Sequence, residues 1–281
     1  MKAIVTGGAG FIGTNLIVKL LEDKWTVVSL DNYSTGLREN QQEGCDYLET
    51  DISEVIPYIG TPDVIFHIGA LARIQPSLTD PLPHIKNNFV STLNILEYAR
   101  ENNIEVIYAG SSSKHHGLYG SPYAWSKYGG EELCKLYSEV YDLNTTICRF
   151  YNVYGDYMIM DGAYATVIAI FQQQYLGDET LTITGNGEQR RDFTHVDDIV
   201  DGLIRCVGRD NKAKYYELGT GKNYSINEVG DMFNHRTKYI PARPGEYDVT
   251  LCDYSTAENE IGYKPTGNLE NYINQWLGEN K

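Results

Sequence analysis

Short, almost unbroken apolar runs alternate with longer stretches of three- and four-residue apolar spacing through the first half of the chain. Ala3–Thr6, Thr26–Leu30, Asp63–His67, Glu105–Ala109 and Thr145–Phe150 predict strands. The continuous apolar character of the first four suits a parallel sheet covered on both faces. Between them the spacing predicts helices over 12–24, 87–102 and 124–141; in the second, Phe89, Leu93, Leu96 and Ala99 recur about once per turn. Strands joined by crossover helices predict an α/β fold of the Rossmann type, a doubly wound parallel sheet. Past residue 155 the regularity gives way to shorter elements punctuated by Gly, Tyr and Pro. The pattern therefore divides the chain into a Rossmann domain at 1–155, joined by a later segment around 190–210, and a smaller mixed C-terminal lobe at 156–281.

Composition narrows the partners. The 281 residues are 42% hydrophobic, enough for a sizeable core, and 23 Lys+Arg against 38 Asp+Glu give a net charge of −15. Such an excess repels nucleic acid and anionic lipid, and no basic cluster larger than a pair such as Arg190-Arg191 offsets it. No run of about 18 apolar residues predicts a membrane span. Met1–Val5 leads straight into a strand pattern without a signal-peptide core, so the expected location is cytoplasmic. Five scattered cysteines (Cys45, Cys134, Cys148, Cys206, Cys252) form no Cys-x-x-Cys pair. Neither a disulfide framework nor a metal site is expected.

The first strand runs into Thr6-Gly7-Gly8-Ala9-Gly10-Phe11-Ile12-Gly13. Glycines there allow a tight turn and close approach of backbone to a pyrophosphate, while the following helix supplies free N–H groups and a positive dipole. Asp31 closes the second strand 18 residues beyond Gly13. A carboxylate at that place accepts ribose hydroxyls and repels a 2′-phosphate, which points to NAD rather than NADP. Asp51 and Ile52, after an apparent third strand, are candidates for the adenine end. Farther on, Tyr123 and Lys127 stand four apart, on one face of a helix. A phenol is a poor base at neutral pH, and a neighbouring ammonium brings it into working range. Gly110-Ser111-Ser112-Ser113 at the end of the preceding strand brings hydroxyls to the carboxyl edge of the sheet beside the tyrosine.

These residues resemble an extended short-chain dehydrogenase/reductase, and within it the nucleotide-sugar epimerases. The likeness spans nearly the whole chain. It includes the glycine turn, Asp31-Asn32-Tyr33-Ser34-Thr35-Gly36, His67-Ile68-Gly69-Ala70, Asn87–Asn94, Ser111–Ser113, Tyr123–Lys127, Arg149–Gly155 and Gly185-x-Gly187-x-Gln189-Arg190-Arg191-Asp192-Phe193-x-His195-Val196-x-Asp198. The resemblance implies Gly7, Gly10, Phe11, Ile12, Gly13, Asp31, Asn32, Ser34, Thr35, Gly36, Ala70 and Asn88 as cofactor contacts. It implies Tyr123 as acid/base, Lys127 as the lysine that binds the nicotinamide ribose and lowers the tyrosine's pKa, and Ser112 as the active hydroxyl. Asn152, Arg191 and Arg243 would meet the diphosphate of a nucleoside-diphosphate sugar, most simply a UDP-hexose, and Glu246 its ribose. His195 falls within the signature in a structural role.

Relatives on this scaffold include epimerases, 4,6-dehydratases, decarboxylases and keto-sugar reductases. The dehydratases carry an Asp-Glu pair after the active hydroxyl, and the decarboxylases a glutamate; this chain has Ser113-Lys114. The expected reaction is therefore epimerisation at C4 through a 4-keto sugar, with NAD recycled. Lys114-His115-His116 departs from the family pattern. Leu133, Cys134, Tyr137 and Tyr141 form a stripe on the 124–141 helix that is either a dimer face or a sheet face, and a homodimer is expected. The spacing after Gly117 and the stretch after Gly155 are shorter than in relatives, which predicts a more open sugar pocket.

Overall fold

The computed structural model describes residues 1–54 and 56–280. Six strands, β1 (Lys2–Thr6), β2 (Thr26–Asp31), β3 (Cys45–Glu49), β4 (Val64–His67), β5 (Glu105–Ser111) and β6 (Thr145–Phe150), join the strand Lys214–Leu218 in one sheet. Its order is β3-β2-β1-β4-β5-β6 followed by Lys214–Leu218, and every pairing is parallel. The order reverses between β1 and β4, and the carboxyl ends of those strands open the crevice where ligands bind in such sheets.

Among the helices are α1 (Phe11–Glu22), α2 (Ile74–Thr79), α3 (Pro81–Ile85), α4 (Ser91–Asn102), α5 (Pro122–Tyr141), α6 (Val167–Leu176) and α7 (Val196–Arg205), of which α1, α4, α5 and α7 pack on the sheet. One face of the sheet buries Leu16, Ile17 and Leu20 of α1 with Ile199, Val200 and Leu203 of α7. The other buries Ile95, Leu96 and Ala99 of α4 with Cys134 and Tyr137 of α5. Continuous apolar strands with a layer on each side follow directly from this arrangement. A third cluster forms the smaller lobe, with Ile168 and Phe171 from α6 packed on Leu181, Ile183, Val229, Phe233 and Ile273.

The helix expected at 87–102 starts as a wide π-turn over Lys86–Val90 before α4 begins. Such a turn carries one extra residue and re-aims the side chains within it. Here Asn88 turns inward, while Phe89 meets the Trp125 ring at a centroid distance of 5.7 Å. The stripe on α5 resolves as well. Cys134 and Tyr137 are buried against the sheet, whereas Leu136, Val140 and Tyr141 are exposed. All five cysteines are free, with the Cys148 and Cys206 sulfurs in buried contact at 3.6 Å. Among the described residues no helix is long and apolar enough to cross a membrane, and no group of His, Cys, Asp and Glu is placed to hold a metal.

Candidate active site

Gly10 caps α1 with extended backbone and no side-chain bond, so the N–H groups of the first turn face the cavity. A Cβ on Gly13 would collide with the Gly7 carbonyl, and one on Gly7 would stand 2.7 Å from Gly69 Cα. Gly7 also has φ +70°, which disfavours any side chain. At the end of β2, Asp31 Oδ2 accepts from the Ala9 N–H at 2.9 Å and Oδ1 from the Tyr33 N–H at 2.8 Å. Burial pushes this carboxyl up, and the two backbone bonds oppose the rise. Its remaining lone pairs suit ribose hydroxyls. Asn32, Ser34, Thr35, Gly36, Ile52 and Ala70 line the same cavity wall. Glycine turn, helix N-terminus and closing carboxylate together fit NAD.

Two expected cofactor contacts are engaged elsewhere. Asp51 Oδ1 accepts from the Ser53 N–H at 2.9 Å and from its hydroxyl at 2.6 Å, and Thr50 and Ile52 line the cavity instead. Asn88 is a buried strut. Its oxygen accepts from the Leu71 N–H at 2.8 Å, and its nitrogen donates to the Leu71 carbonyl and the Ser126 hydroxyl, both at 3.1 Å. Asn87 takes its place on the wall.

The catalytic group rests on α5. Pro122 occupies the first helical turn, and the Ser121 hydroxyl caps it by accepting from the Ala124 N–H. Glycine at 130 lets the helix approach β5, because a Cβ there would collide with the Tyr108 hydroxyl. Tyr123, Lys127 and Glu131 then fall at four-residue spacing along one face. The Tyr123 hydroxyl donates to Ser111 Oγ at 3.3 Å, and Ser113 Oγ donates to the same oxygen at 2.9 Å. Ser112 shares the wall, but the hydroxyl bonded to the phenol is that of Ser111. The 111–113 hydroxyls leave the strand end in different directions, and sequence spacing does not reveal which one meets the tyrosine.

Burial pushes the Tyr123 phenol up; the Ser111 bond and the Arg73 charge pull it back. Lys127 is buried with Nζ 4.3 Å from the Tyr108 ring centroid, and burial lowers it to about 8 against the opposing pull of Glu131. Behind it, Glu131 is clasped by buried Arg149, with Nη2 to Oε2 at 2.7 Å, while Arg149 Nη1 reaches Glu217 at 2.7 Å. This pair explains Lys114 and His115. Lys114 Nζ lies 3.7 Å from Glu131 Oε2, and His115 Nε2 is bonded to Glu217 Oε1 at 2.8 Å. His116 instead stacks on Tyr247 at 4.3 Å, and the buried Tyr247 hydroxyl has no hydrogen-bond partner among the described residues.

On the C-terminal lobe, Asn152, Arg191, Arg243 and Glu246 all line the cavity. Asn152 Nδ2 donates to the Asp192 carbonyl at 3.0 Å and to Thr250 Oγ1 at 3.2 Å, so a diphosphate would have to share that donor. The adjacent arginines differ sharply. Arg190 pairs with Glu228 at 2.8 Å, while Arg191, among the described residues, donates only to the Arg190 carbonyl, at 2.9 Å, and burial lowers it. His195 caps α7 by accepting from the Asp197 N–H. Arg73, which the sequence reading passed over, also reaches the cavity; a lone cation just after His67-Ile68-Gly69-Ala70 was its only signal.

A helix-borne tyrosine bonded to a strand-end serine beside a dinucleotide cradle defines an oxidoreductase-type site. Residues 3–219 match the model of the NAD dependent epimerase/dehydratase family, and the chain belongs to that family. It is 30% identical to the UDP-glucose 4-epimerase of Mycolicibacterium smegmatis, over 94% of each chain. The crystal structure of UDP-glucose 4-epimerase from Thermotoga maritima with UDP-glucose is similar at TM-score 0.90 and 27% identity, covering 99% of this chain and 98% of that one. UDP-glucuronic acid 4-epimerase from Bacillus cereus, in complex with UDP-glucuronic acid and NAD, is similar at TM-score 0.88 and 26% identity, over 99% of each chain.

Proposed function

We propose that the protein inverts C4 of a nucleoside-diphosphate sugar, most simply a UDP-hexose, through a transient 4-keto sugar. The observation that carries this reading is the Tyr123–Ser111 hydroxyl pair at the mouth of the glycine cradle, with buried Lys127 one helical turn below. NAD, bound along Gly7, Gly10–Gly13 and Asp31, supplies reversible hydride chemistry. The Tyr123 phenol oxygen takes the proton from the 4-hydroxyl and later returns it. Ser111 and Ser112 hold the sugar oxygen, and Lys127 lends positive charge to the phenolate. Arg191 and Arg243 face the diphosphate, with Asn152 and Glu246 beside it.

Dehydration and decarboxylation are less well served. Ser113 Oγ is bonded to Ser111, and Lys114 points at Glu131, so no carboxylate follows the active hydroxyl. A site without that second acid/base can oxidise and re-reduce but lacks a group for C5 proton removal. Exposed Leu136, Val140 and Tyr141 on α5 support a homodimer through that face. The test is proton NMR of the NAD-loaded protein with UDP-glucose, UDP-N-acetylglucosamine and UDP-glucuronate. Interconversion with the galacto epimer is expected; a 4-keto-6-deoxy product would replace this reading with dehydration.

A further inference from the structure

Residues 241–250 form a strap from the smaller lobe to the Rossmann layer. Its ends stay on the smaller lobe, where the Gly185 N–H donates to the Ile240 carbonyl and the Arg190 N–H to the Asp248 carbonyl, both at 2.8 Å. Its middle is held by the other layer. Gln75 Nε2 donates to the Pro244 carbonyl at 2.6 Å, and a Cβ on Gly245 would stand 3.2 Å from Ile74 Cγ2 and 3.6 Å from the Gly120 carbonyl oxygen. Gly245 has φ +75°, a turn that glycine makes at no steric cost. Beyond it the Tyr247 ring stacks on His116, with 4.3 Å between centroids and 24° between planes. His116 ends the 3₁₀ turn Ser112–His116 that carries the active hydroxyl, and His115 anchors that turn on Glu217. Burial lowers His116, so the stacked imidazole is neutral at pH 7.

What lies under the strap follows from where it starts and lands. Arg243 and Tyr247 line the same cavity as Ser111, Ser112 and Tyr123. In a nucleotide sugar the hexose joins the diphosphate to the reacting carbon. With the diphosphate at Arg243, a strap that lands on the turn of the active hydroxyl passes over the hexose. The Tyr247 hydroxyl is buried and has no hydrogen-bond partner among the described residues. An unmatched phenol hydroxyl is costly, and a hexose hydroxyl completes it.

We propose that Tyr247 contacts the hexose and that His116, through the stack, is the positioning residue that holds it there, so that the 4-keto sugar is retained between its two hydride transfers. This rests on the C4-epimerase reading. Oxidation sends the C4 hydride to NAD⁺ and the 4-hydroxyl proton to Tyr123, and re-reduction returns both. A keto sugar that escapes between the steps leaves its two electrons behind as NADH, and that site can no longer oxidise a fresh sugar. Inversion also requires the sugar to present its other face. An aromatic ring with a single hydrogen bond confines the sugar while leaving it free to turn, and it excludes water from the reacting carbon.

The experiment incubates NAD-loaded wild type, His116→Ala, His116→Phe and Tyr247→Phe with UDP-glucose, UDP-N-acetylglucosamine and UDP-glucuronate in turn. NADH is followed by its near-ultraviolet absorbance, C4 inversion by proton NMR, and binding of UDP and of each UDP-sugar by titration calorimetry. In His116→Ala the NADH left per inversion should rise on the order of 10-fold with UDP binding unchanged, and His116→Phe, which keeps the stack, should reverse most of the rise. Tyr247→Phe keeps the ring but not the hydroxyl and should raise KM by about 3–10-fold. Unchanged NADH in His116→Ala, a rise that His116→Phe does not reverse, or a matching loss of UDP binding overturns the proposal and leaves C4 epimerisation intact. If the wild type inverts none of the three sugars, yet His116→Ala weakens UDP-sugar binding and not UDP binding, the hexose contact stands and the epimerase reading falls.

Discussion

Tyr123 works against its surroundings. Burial disfavours the phenolate, and the Ser111 hydroxyl and Arg73 charge reduce that penalty. Lys127, lowered to about 8 by burial, is mostly charged at neutral pH and loses its proton just above it. Turnover should therefore decline above about pH 8 as the ammonium that supports the phenolate disappears, which a kcat profile from pH 6 to 10 measures. Tyr123→Phe should lower kcat by about 10²–10⁴-fold, with NAD still retained; near-native activity would remove the phenol from the mechanism. At this scale, what sequence spacing could read was whatever lies within one element: the glycine turn, and the pair at 123 and 127. Partners set by tertiary approach were illegible. Asn88 finds Leu71 and Ser126 across 17 and 38 residues, and Arg73 finds Tyr164 across 91.

Helix α5 and strand β5 are held at a fixed separation by glycines at their contact. Gly130 admits the Tyr108 hydroxyl, and a Cβ on Gly110 would press within 2.9 Å of Glu131 Oε1. The Glu131–Arg149–Glu217 network then ties α5 to β6 and the strand Lys214–Leu218, and His115 extends it to the segment after the active serines. Breaking a buried pair strands the remaining charge, so Glu131→Gln should destabilise the fold by about 3–5 kcal/mol in chemical denaturation. A second tie joins β1, β4 and α4, where buried His67 bridges Thr6 Oγ1 at 2.8 Å and Thr92 Oγ1 at 3.0 Å. Burial, with the Lys127 charge adding to it, lowers this imidazole from 6.5 to about 3. Between those values the unfolded chain takes up a proton that the folded chain refuses, so stability should fall as pH drops from 6.5 towards 3. Thermal melts of His67→Gln should show a flatter dependence across that window. Element types in the first half were legible because apolar period and length agree there. The π-turn at 86–90 was not, since it accompanies bonds from Asn88 to Leu71 and Ser126 on other segments.

Across the whole molecule, a net charge of −15 coexists with a cavity lined by Arg73, Arg191 and Arg243 from both lobes, none of which forms an ion pair among the described residues. Long-range attraction of a dianionic ligand is therefore local to the cleft, and added salt should raise KM more than it lowers kcat. The proposed homodimer through α5 has its own measurement: light scattering should give twice 31.7 kDa, and Leu136→Asp with Val140→Asp should return one chain's mass. The C-terminal lobe was the least legible region, since its short strands pair across long separations, Leu181–Thr184 with Thr237–Ile240 and Arg190–Asp192 with Asn223–Ser225.

The path between the layers has a consequence for how the cleft can move. The chain leaves the sheet after Phe150 for the lobe cluster at Tyr154, returns with Ile199, and leaves again after Leu218 for Ile226. It comes back at Ala257 and departs once more after Tyr263 for Leu269. Five passages stitch the two layers together, where a pair of domains on a hinge would have one or two. Such sewing resists clamshell opening. Calorimetry should record a single melting transition for both layers. The smaller lobe is then no detachable module, and its cavity-lining loops can be altered piecemeal only while every stitch stays in place.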